Sequence, residues 1–309
     1  MAGITDLPFR NLVARFGAGL VVSEMVASQD MINARPGSRE KAELGLEQVG
    51  TAVQLAGREA APMAEAARMV EGQGAQVIDI NMGCPAKKVT NGYSGSALMR
   101  TPDHALTLIE AVVNAVRIPV TLKTRLGWDD RLRNAPDIAH RAENAGIRLI
   151  TIHGRTRCQF YKGVADWNAI SGVKAAVSIP VVANGDIVDS ATAKLALRQS
   201  GADGVMIGRG ARGRPWILAE IAHDLYGSPK PRIPEGSAFA LMVQDHYAEI
   251  IAFYGETLGA RVARKHLGWY MDYCETPGDL RKAVLTAATP AETSVLVAEA
   301  CRIEVSVAA

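Results

Sequence analysis

The feature that most constrains the fold is a regular alternation of short β-rich segments with helical segments. Apolar and β-branched runs predict seven strands, at Leu20–Ser23, Thr51–Leu55, Val77–Asn81, Val120–Lys123, Leu149–His153, Val181–Asn184 and Gly204–Ile207. Helices are predicted between them, over Ala60–Glu71, over Pro102–Val116 and from the Asp189 cap to Gln199. The strands recur about every 25–35 residues, the length of one βα unit. Units of this kind form either a doubly wound sheet or a closed (β/α)8 barrel.

An eighth strand would complete a barrel, and the spacing places it before Met1. Thr5 and Asp6 followed by Pro8 are typical of a helix start, since proline fits the first turn of a helix. We therefore predict an α/β fold, a TIM (β/α)8 barrel whose first strand is truncated where this sequence begins.

The C-terminal part of the chain has a different pattern. Gly227–Pro234 is rich in proline and is typical of a linker. Beyond it the strand pattern stops, and helices are predicted at Ser237–Tyr254, Gly259–Cys274, Leu280–Ala287 and Pro290–Glu304. The predicted domains are a catalytic barrel at residues 1–226, a linker at 227–234 and an all-α helical domain at 235–309.

Charge and cysteine usage exclude several classes of protein. The net charge of the 309 residues is only +2, so a site for a polyanion must be a local patch. No apolar run approaches the ~20 residues that span a bilayer. Asp6 and Arg10 interrupt the apolar residues near the N-terminus, so this segment is not predicted to be a signal peptide. The cysteines are scattered along the chain, so they predict neither a metal site nor disulfides. This usage fits a reducing environment and predicts a cytoplasmic location. They are Cys84, Cys158, Cys274 and Cys301.

A candidate catalytic thiol, Cys84, follows the predicted strand Val77–Asn81. Gly83 and Pro85 end that strand and leave Cys84 at the mouth of a strand-to-loop turn. A thiol held there can exchange a proton with a bound ligand. A free cysteine is also commonly a small buried core residue, and the flanking residues fit both interpretations.

The carboxyl ends of the strands carry the active site in a (β/α)8 barrel. The ends of the last six predicted strands are all polar or glycine, which favours a functional site over unrelated, satisfied buried polar groups. The residues are Gln54, Asn81 with Cys84, Lys123 with Arg125, His153 with Arg155, Asn184-Gly185-Asp186 and Gly208-Arg209-Gly210.

The last two of these loops favour a phosphate site. Glycine lets backbone N–H groups approach an anion, and Arg209 can add a charge-assisted contact. Gly208–Gly213 also matches GxGxxG, but it follows the last strand instead of opening the first βαβ unit. We interpret it as the phosphate loop of a mononucleotide.

Three groups of cations leave alternatives open. Lys123 and Arg125 share one side of an extended strand, where they could stabilise an anionic flavin ring or pair with a phosphate or carboxylate. Lys87 and Lys88 after Cys84 fit a ligand-binding pair or a solvated surface.

The third group is a basic cluster in the helical domain, Arg261, Arg264, Lys265 and His266. Arg261 and Lys265 share a helix face that Trp269 continues. Cations beside an aromatic ring suit a nucleic-acid surface, and an exposed amphipathic helix would look similar.

Taken together, these stretches resemble the tRNA-dihydrouridine synthases, most closely the bacterial B-type members. The resemblance spans nearly the whole chain, and its Asn-x-Gly-Cys-Pro motif is highly specific. The stretches that carry it are Met1–Asp6, Asn81–Lys88, Leu122–Arg125, Ile152–Thr156, Asn184–Ile187, Ile207–Arg209 and Ala263–Tyr270.

The resemblance implies an FMN-binding barrel and a helical tRNA-binding domain, with NADPH as the electron donor. Hydride would reach C6 of a D-loop uracil while Cys84 protonates C5, at tRNA position 17 in B-type members. The proline that normally precedes Met1 is absent. The implied FMN contacts are Met1, Ala2, Gln54, Lys123, His153, Asn184, Gly185, Asp186, Gly208 and Arg209. We predict contacts with tRNA or its uracil for Asn81, Lys87, Lys88, Arg125, Arg155, Arg261, Arg264 and Lys265.

Two other functions fit parts of the sequence. One is an FMN-dependent dehydrogenase of a free pyrimidine, like dihydroorotate dehydrogenases, although such a substrate needs no basic helical domain. The other is a non-catalytic RNA-binding or nitrogen-regulation protein, against which the intact Cys84 and flavin set argue. We therefore predict a cytoplasmic, monomeric, metal-free oxidoreductase that acts on tRNA.

Overall fold

A computed structural model describes residues 3–35, 41–44 and 50–302 of the chain. The described residues fall into two compact units, Met1–Leu7 with Gly19–Gly208, and Pro8–Ala18 with Arg209–Ala309. Residues 209–226, which the sequence assigns to the barrel domain, therefore make most of their contacts within the second unit. The domain ranges 1–226, 227–234 and 235–309 remain predictions.

The first unit is built on an eight-stranded parallel sheet. The pairing order is β1-β3-β4-β5-β6-β7-β8, and β2 also pairs with β3. The strands are β1 Val21–Val22, β2 Val26–Ala27, β3 Thr51–Ala56, β4 Val77–Asn81, β5 Val120–Arg125, β6 Ile150–His153, β7 Val181–Asn184 and β8 Gly204–Met206. Every residue of β3 and of β6 is buried, as expected for a parallel sheet covered on both faces.

Helices follow the strands of the first unit and bury their apolar faces. They are α2 Ser28–Ile32, α3 Ala60–Gly72, α4 Lys87–Thr90, α5 Pro102–Val113, α6 Ala135–Asn144, α7 Ser171–Ala176 and α8 Ser190–Ser200. Asp189 caps α8 as predicted, because its side chain accepts from the Thr192 N–H. The barrel-type α/β fold predicted from the sequence is confirmed.

The second unit is helical. Its helices are α1 Leu7–Arg15, with Leu7 itself in the first unit, α9 Ile217–Tyr226, α10 Gly236–Tyr254, α11 Glu256–Tyr273, α12 Gly278–Thr286 and α13 Pro290–Ala300. Their core contains Trp216, Phe239, Val243 and Tyr270, all nearly inaccessible to solvent. The helical C-terminal region predicted from the sequence is therefore confirmed. Among the described helices, none is both long and apolar enough to cross a membrane.

Two differences from the predicted elements have physical causes. The two-residue strand β2 was missed, because it is too short to show a period before α2 begins. Helix α11 begins at Glu256, earlier than the predicted Gly259. A Cβ on Gly259 would lie 3.0 Å from the Ile250 carbonyl oxygen. This glycine therefore lets α10 and α11 approach closely and does not mark the start of a helix.

Candidate active site

A chain of buried hydrogen bonds links strands β3 and β4 to Cys84. Gln54 Nε2 donates to Asp79 Oδ2 over 2.7 Å, and Asn81 Nδ2 donates to Gln54 Oε1 over 2.8 Å. Asn81 Oδ1 then accepts the backbone N–H groups of Gly83 and Cys84, at 3.1 and 2.9 Å. Asp79 is thus connected through two amide side chains to the backbone of the candidate catalytic residue.

The direction of this chain is set by Asp79. An ionised carboxylate only accepts hydrogen bonds, and Asp79 Oδ1 accepts from Thr121 Oγ1 over 2.7 Å. Gln54 must therefore present its NH2 group to Asp79 and its oxygen to Asn81. Asn81 in turn must present its oxygen to the Cys84 turn. Burial raises the pKa of Asp79 above its ordinary value, and the hydrogen bonds from Gln54 and Thr121 offset only part of that rise.

Cys84 is also held from its carboxyl side. Its carbonyl accepts from Ser96 N at 3.1 Å and from Ser96 Oγ at 2.8 Å. Gly95 adopts φ +60°, and a Cβ there would lie 2.8 Å from the Cys84 carbonyl oxygen and 3.2 Å from the Cys84 Cβ. The loop after β4 can therefore fold back against Cys84 only because residue 95 is glycine. The Cys84 side chain itself is half-buried.

The register of the strands places further predicted site residues beside Asn81. Asn81 is paired with Lys123, and His153 is paired with Asn184. Lys123 Nζ donates to Asn184 Oδ1 over 3.1 Å. Burial and, to a lesser extent, the nearby Arg125 lower the pKa of Lys123 to about 8, against the opposing influence of Asp79 and Cys84, which favour the charged form. Lys123 is therefore a mostly charged ammonium at neutral pH at the end of β5.

The predicted glycine loop Asn184-Gly185-Asp186 is tied to the loop after β6. Arg155 Nη1 donates to Asp186 Oδ1 over 3.0 Å, and Asp186 Oδ2 also accepts from the Ala165 N–H over 2.8 Å. These bonds hold Asp186 at φ +54°, a conformation that non-glycine residues rarely adopt. Gly185 adopts φ +113°, and a Cβ there would lie 2.9 Å from the Ala165 Cβ and 3.3 Å from His153 Nε2, so glycine lets the backbone pack closely against both residues.

Arg125 and Arg155 are almost fully buried and donate to protein oxygens. Arg125 Nε donates to the Gly83 carbonyl over 2.7 Å, and its Nη1 donates to the Thr156 carbonyl over 3.0 Å. Arg155 Nη2 donates to the Gly163 carbonyl over 2.7 Å. Burial lowers the pKa of Arg125 to about 10, so it remains a cation. The predicted contacts of both arginines with substrate stay predictions, while their loop-holding contacts are observed.

The remaining predicted residues of the barrel have varied positions. Lys87 and Lys88 are exposed on α4. Gly208 follows β8, and Arg209 begins a short 3-10 turn, Arg209–Ala211. Met1 and Ala2 lie outside the described residues.

The strand ends have the donor set that a flavin ring and a phosphate require. Gln54, Asn81 and Asn184 supply buried amides, Lys123 supplies a half-buried cation, and Gly185 lets the backbone approach closely beside His153. These residues fit FMN, although the site residues as a set remain predictions.

Four residues that matter here escaped the sequence analysis: Asp79, Thr121, Gly95 and Ser96. An aspartate in the middle of an apolar strand was a usable signal, because a buried carboxylate needs partners. Nothing local in the sequence shows that Gly95 and Ser96 return to Cys84.

A cavity of about 230 Å³ lies beside the ends of β2 and β3. Ser28, Arg58 and Ser94 contribute polar groups to its lining. Its lining comes from the ends of β2 and β3, from α2 and α3 and from the adjoining loops, and no sequence motif connects these segments.

The residues of the predicted basic cluster lie on different faces of helix α11. Arg261 and Arg264 are exposed, and within the described part of the chain neither has a carboxylate partner. Lys265 is half-buried. His266 is buried, with its ring centroid 5.3 Å from that of Phe9 and 5.1 Å from that of His246. Burial holds the pKa of His266 well below its usual value, so it is neutral and contributes no charge to a basic surface.

The strand ends of this barrel sheet bring together a positioned thiol, a half-buried lysine and a chain of amides, an arrangement typical of a barrel-type enzyme. The chain belongs to the dihydrouridine synthase (Dus) family, whose model matches residues 1–308. It is 63% identical over 97% of its length to a probable tRNA-dihydrouridine synthase from Rhodobacter capsulatus, of which it covers 92%.

One further comparison concerns the family and another concerns the fold alone. The chain is 48% identical to tRNA-dihydrouridine synthase B from Vibrio cholerae, with 91% of this chain and 88% of that protein covered. The structure of histamine dehydrogenase from Rhizobium sp. 4-9 has a similar fold, with a TM-score of 0.52 and 14% identity. That match covers 80% of this chain and 47% of the other, so the present chain spans about half of that structure.

The buried histidines of the helical unit predict a pH-dependent stability. The pKa of His246 is lowered to about 3 and that of His266 is also lowered, whereas both are near 6.5 in the unfolded chain. The unfolded chain therefore binds more protons below pH 6.5, and stability falls as pH falls. Between pH 7.5 and 5.5 we expect each histidine to remove about 1.4 kcal/mol of unfolding free energy.

Replacing His266 should remove its share of this loss. We expect His266→Phe to lose about 1.4 kcal/mol less than the parent protein between pH 7.5 and 5.5 in chemical denaturation. His140 is exposed on α6, so His140→Phe should show the parent's pH dependence. An unchanged pH dependence in His266→Phe would show that His266 is not buried in its neutral form.

Proposed function

We propose that this chain is a tRNA-dihydrouridine synthase that reduces a D-loop uridine with FMN as bound cofactor and NADPH as electron donor. The observation that carries the proposal is the positioning of Cys84. Its backbone is held by Asn81 on one side and Ser96 on the other, at the strand ends of a chain that belongs to the Dus family.

The strand-end residues would hold the cofactor. When bound, FMN supplies the hydride that reduces the pyrimidine ring. The observed positions of Lys123, Asn184 and Gly185 support this placement. The residues proposed to hold it are Gln54, Lys123, His153, Asn184, Gly185, Asp186, Gly208 and Arg209, with Met1 and Ala2 predicted in addition.

Lys123 contributes electrostatics to this site. It is half-buried, and its pKa is lowered to about 8, so it is mostly charged at neutral pH. A desolvated ammonium stabilises negative charge that develops nearby more strongly than an exposed one does. Its bond to Asn184 Oδ1 keeps the ammonium at the strand ends and leaves two further N–H donors for a ligand.

Cys84 is the proposed proton donor to C5 of the uracil. Reduction of the C5–C6 double bond adds hydride at C6 and a proton at C5, so the second carbon needs an acid within hydrogen-bonding reach. The half-buried thiol can meet a base that has left its stack, as a base in a single-stranded loop can. Asn81 keeps the thiol's backbone fixed and is itself near the proposed uracil position.

The proposed contacts with tRNA are cations on both units. Lys87 and Lys88 are exposed on α4, close in sequence to Cys84, and Arg261, Arg264 and Lys265 lie on α11. Arg125 and Arg155 support the site by holding its loops. Position 17, which the resemblance to the B-type members implies, is the proposed target. A cytoplasmic location and a monomeric state remain predictions, and no observation favours a free pyrimidine substrate or a non-catalytic role.

Removing the Cys84 thiol tests the proposed chemistry. Positioned proton transfer contributes ~10²–10⁴-fold to rate, so Cys84→Ala should form dihydrouridine more slowly by about that factor. The measurement is a single-turnover assay with unmodified tRNA, with products detected by mass spectrometry as a gain of two hydrogens. Oxidation of NADPH by oxygen should persist, because that reaction requires no acid for the uracil.

The control for this variant is Cys158→Ala, since Cys158 is exposed on another loop. It should match the parent protein in both assays. The cofactor released from all three proteins should have the mass of FMN. Dihydrouridine formation by Cys84→Ala at the parent rate would overturn the role of Cys84, and release of a different flavin would overturn the cofactor assignment.

The basic face of α11 can be tested through salt dependence. Each phosphate contact contributes about 0.7–0.9 to the slope of log Kobs against log salt concentration. If Arg261 and Arg264 contact phosphates, Arg261→Gln with Arg264→Gln should bind tRNA more weakly and reduce that slope by about 1.4–1.8. NADPH oxidation without tRNA should not change.

A matched pair in the same unit controls for net charge. Lys230 and Lys282 are exposed and lie outside α11, so Lys230→Gln with Lys282→Gln removes the same charge from other segments of the unit. This pair should retain the parent's slope. If the two pairs lower the slope equally, the effect is one of net charge and α11 is not a tRNA contact.

A further inference from the structure

Two arginines stack on a tryptophan at the carboxyl-end side of the barrel sheet. The guanidinium carbon of Arg157 lies 4.6 Å from the centroid of the Trp128 ring, and that of Arg100 lies 5.0 Å from it. Arg100 is exposed, and Trp128 and Arg157 are half-buried. We name these three residues the Trp128 cluster. Stacking on the ring fixes the guanidinium planes in advance of any partner.

The charges of the Trp128 cluster are not neutralised within the described residues. Neither Arg100 nor Arg157 has a carboxylate partner there, and Arg157 donates to Thr90 Oγ1 only at 3.4 Å. By contrast, the neighbouring Arg133 is paired with both Asp130 and Asp166. An arginine that serves only the fold would be expected to have such partners.

The cluster lies at the same edge of the sheet as Cys84. We call this edge, formed by the loops after β4, β5 and β6, the rim. Arg157 and Trp128 belong to the loops after β6 and β5, which are joined by the bond from Arg157 N to the Gly127 carbonyl, 2.9 Å. Thr90, which Arg157 contacts, ends the short helix α4 after Cys84. Arg125 ties the same three loops together through the Gly83 and Thr156 carbonyls.

This rim is strongly basic although the whole chain is nearly neutral. The three loops, residues 83–100, 126–134 and 154–165, contain only Asp129 and Asp130 as carboxylates. Asp129 accepts backbone N–H groups, and Asp130 is paired with Arg133. The cations on these loops are Lys87, Lys88, Arg100, Arg131, Arg133, Arg155, Arg157 and Lys162.

We propose that the Trp128 cluster is an RNA-contact surface that binds backbone phosphates of the nucleotides flanking the uridine at Cys84. Pre-oriented guanidinium groups match the planar, bidentate geometry of phosphate, and an adjacent aromatic ring can also accept a splayed base. The proposal rests on the proposed function, since it places the partner at the entrance of that site.

Two substitutions test the surface through the salt dependence of tRNA binding. Arg100→Gln with Arg157→Gln should weaken binding and reduce the slope of log Kobs against log salt concentration by about 1.4, since single-stranded contacts contribute about 0.7 each. Arg100→Gln alone should give about half of that change, and it does not threaten the fold because Arg100 is exposed. Circular dichroism of each variant confirms folding.

A change in the ring separates stacking from charge. Trp128→Leu removes the aromatic surface and keeps both charges, so tRNA affinity should fall by about tenfold while the salt slope changes little. The control pair is Arg68→Gln with Arg198→Gln, on helices α3 and α8, which removes the same charge away from the rim. It should retain the parent's affinity and slope.

The outcomes distinguish this surface from the proposed function. Parent-like affinity and slope in Arg100→Gln, or an equal loss in the control pair, would overturn the surface. If the parent protein forms no dihydrouridine but its tRNA binding still depends on Arg100 and Arg157, the proposed reaction fails and the surface stands. If dihydrouridine forms and the variants bind normally, the reaction stands and the surface fails.

Discussion

The hydrogen-bond chain that begins at Asp79 is the interaction on which the candidate site depends. Its carboxylate is buried, so it must be satisfied, and Gln54 and Thr121 provide the donors. Because a carboxylate offers only acceptors, the orientation of each following amide is fixed in turn. The final link is the Asn81 oxygen, which accepts the N–H of Cys84. Because the buried Asp79 carboxylate must be hydrogen-bonded, the residues that satisfy it also fix the position of the Cys84 thiol.

Buried arginines extend the same principle to the loops. Arg125 donates to the loops after β4 and β6, and Arg155 joins the loop after β6 to Asp186 after β7. A buried guanidinium that lost these oxygens would leave unpaired donors, which costs far more than an exposed ion pair returns. Buried arginines therefore hold these loops together through their carbonyl oxygens and Asp186, and the exposed cations of the rim remain available for an external partner.

The sequence predicted the strands well because their signal is local. Val77–Asn81 and Val181–Asn184 have the observed bounds, since runs of apolar residues end there at polar residues or glycine. The polar residues at the strand ends could be predicted because the carboxyl ends of parallel strands meet at one edge of the sheet. Cys84 could be predicted from the Asn-x-Gly-Cys-Pro motif. The return of Gly95 and Ser96 to Cys84 was not predictable, because it is a tertiary contact with no period. His266 was grouped with the basic residues because the sequence does not show which face of α11 is buried.

The most direct test of the account is the protection of the Gly83 and Cys84 amides against hydrogen exchange, measured by NMR. Asp79→Ala removes the acceptor that orients Gln54, so both amides should exchange faster than in the parent protein, while the Ala183 amide in β7 stays protected. Asp79→Asn retains an acceptor and should restore protection. Parent-like protection of Gly83 and Cys84 in Asp79→Ala would show that Asp79 does not position Cys84, and would contradict the central claim.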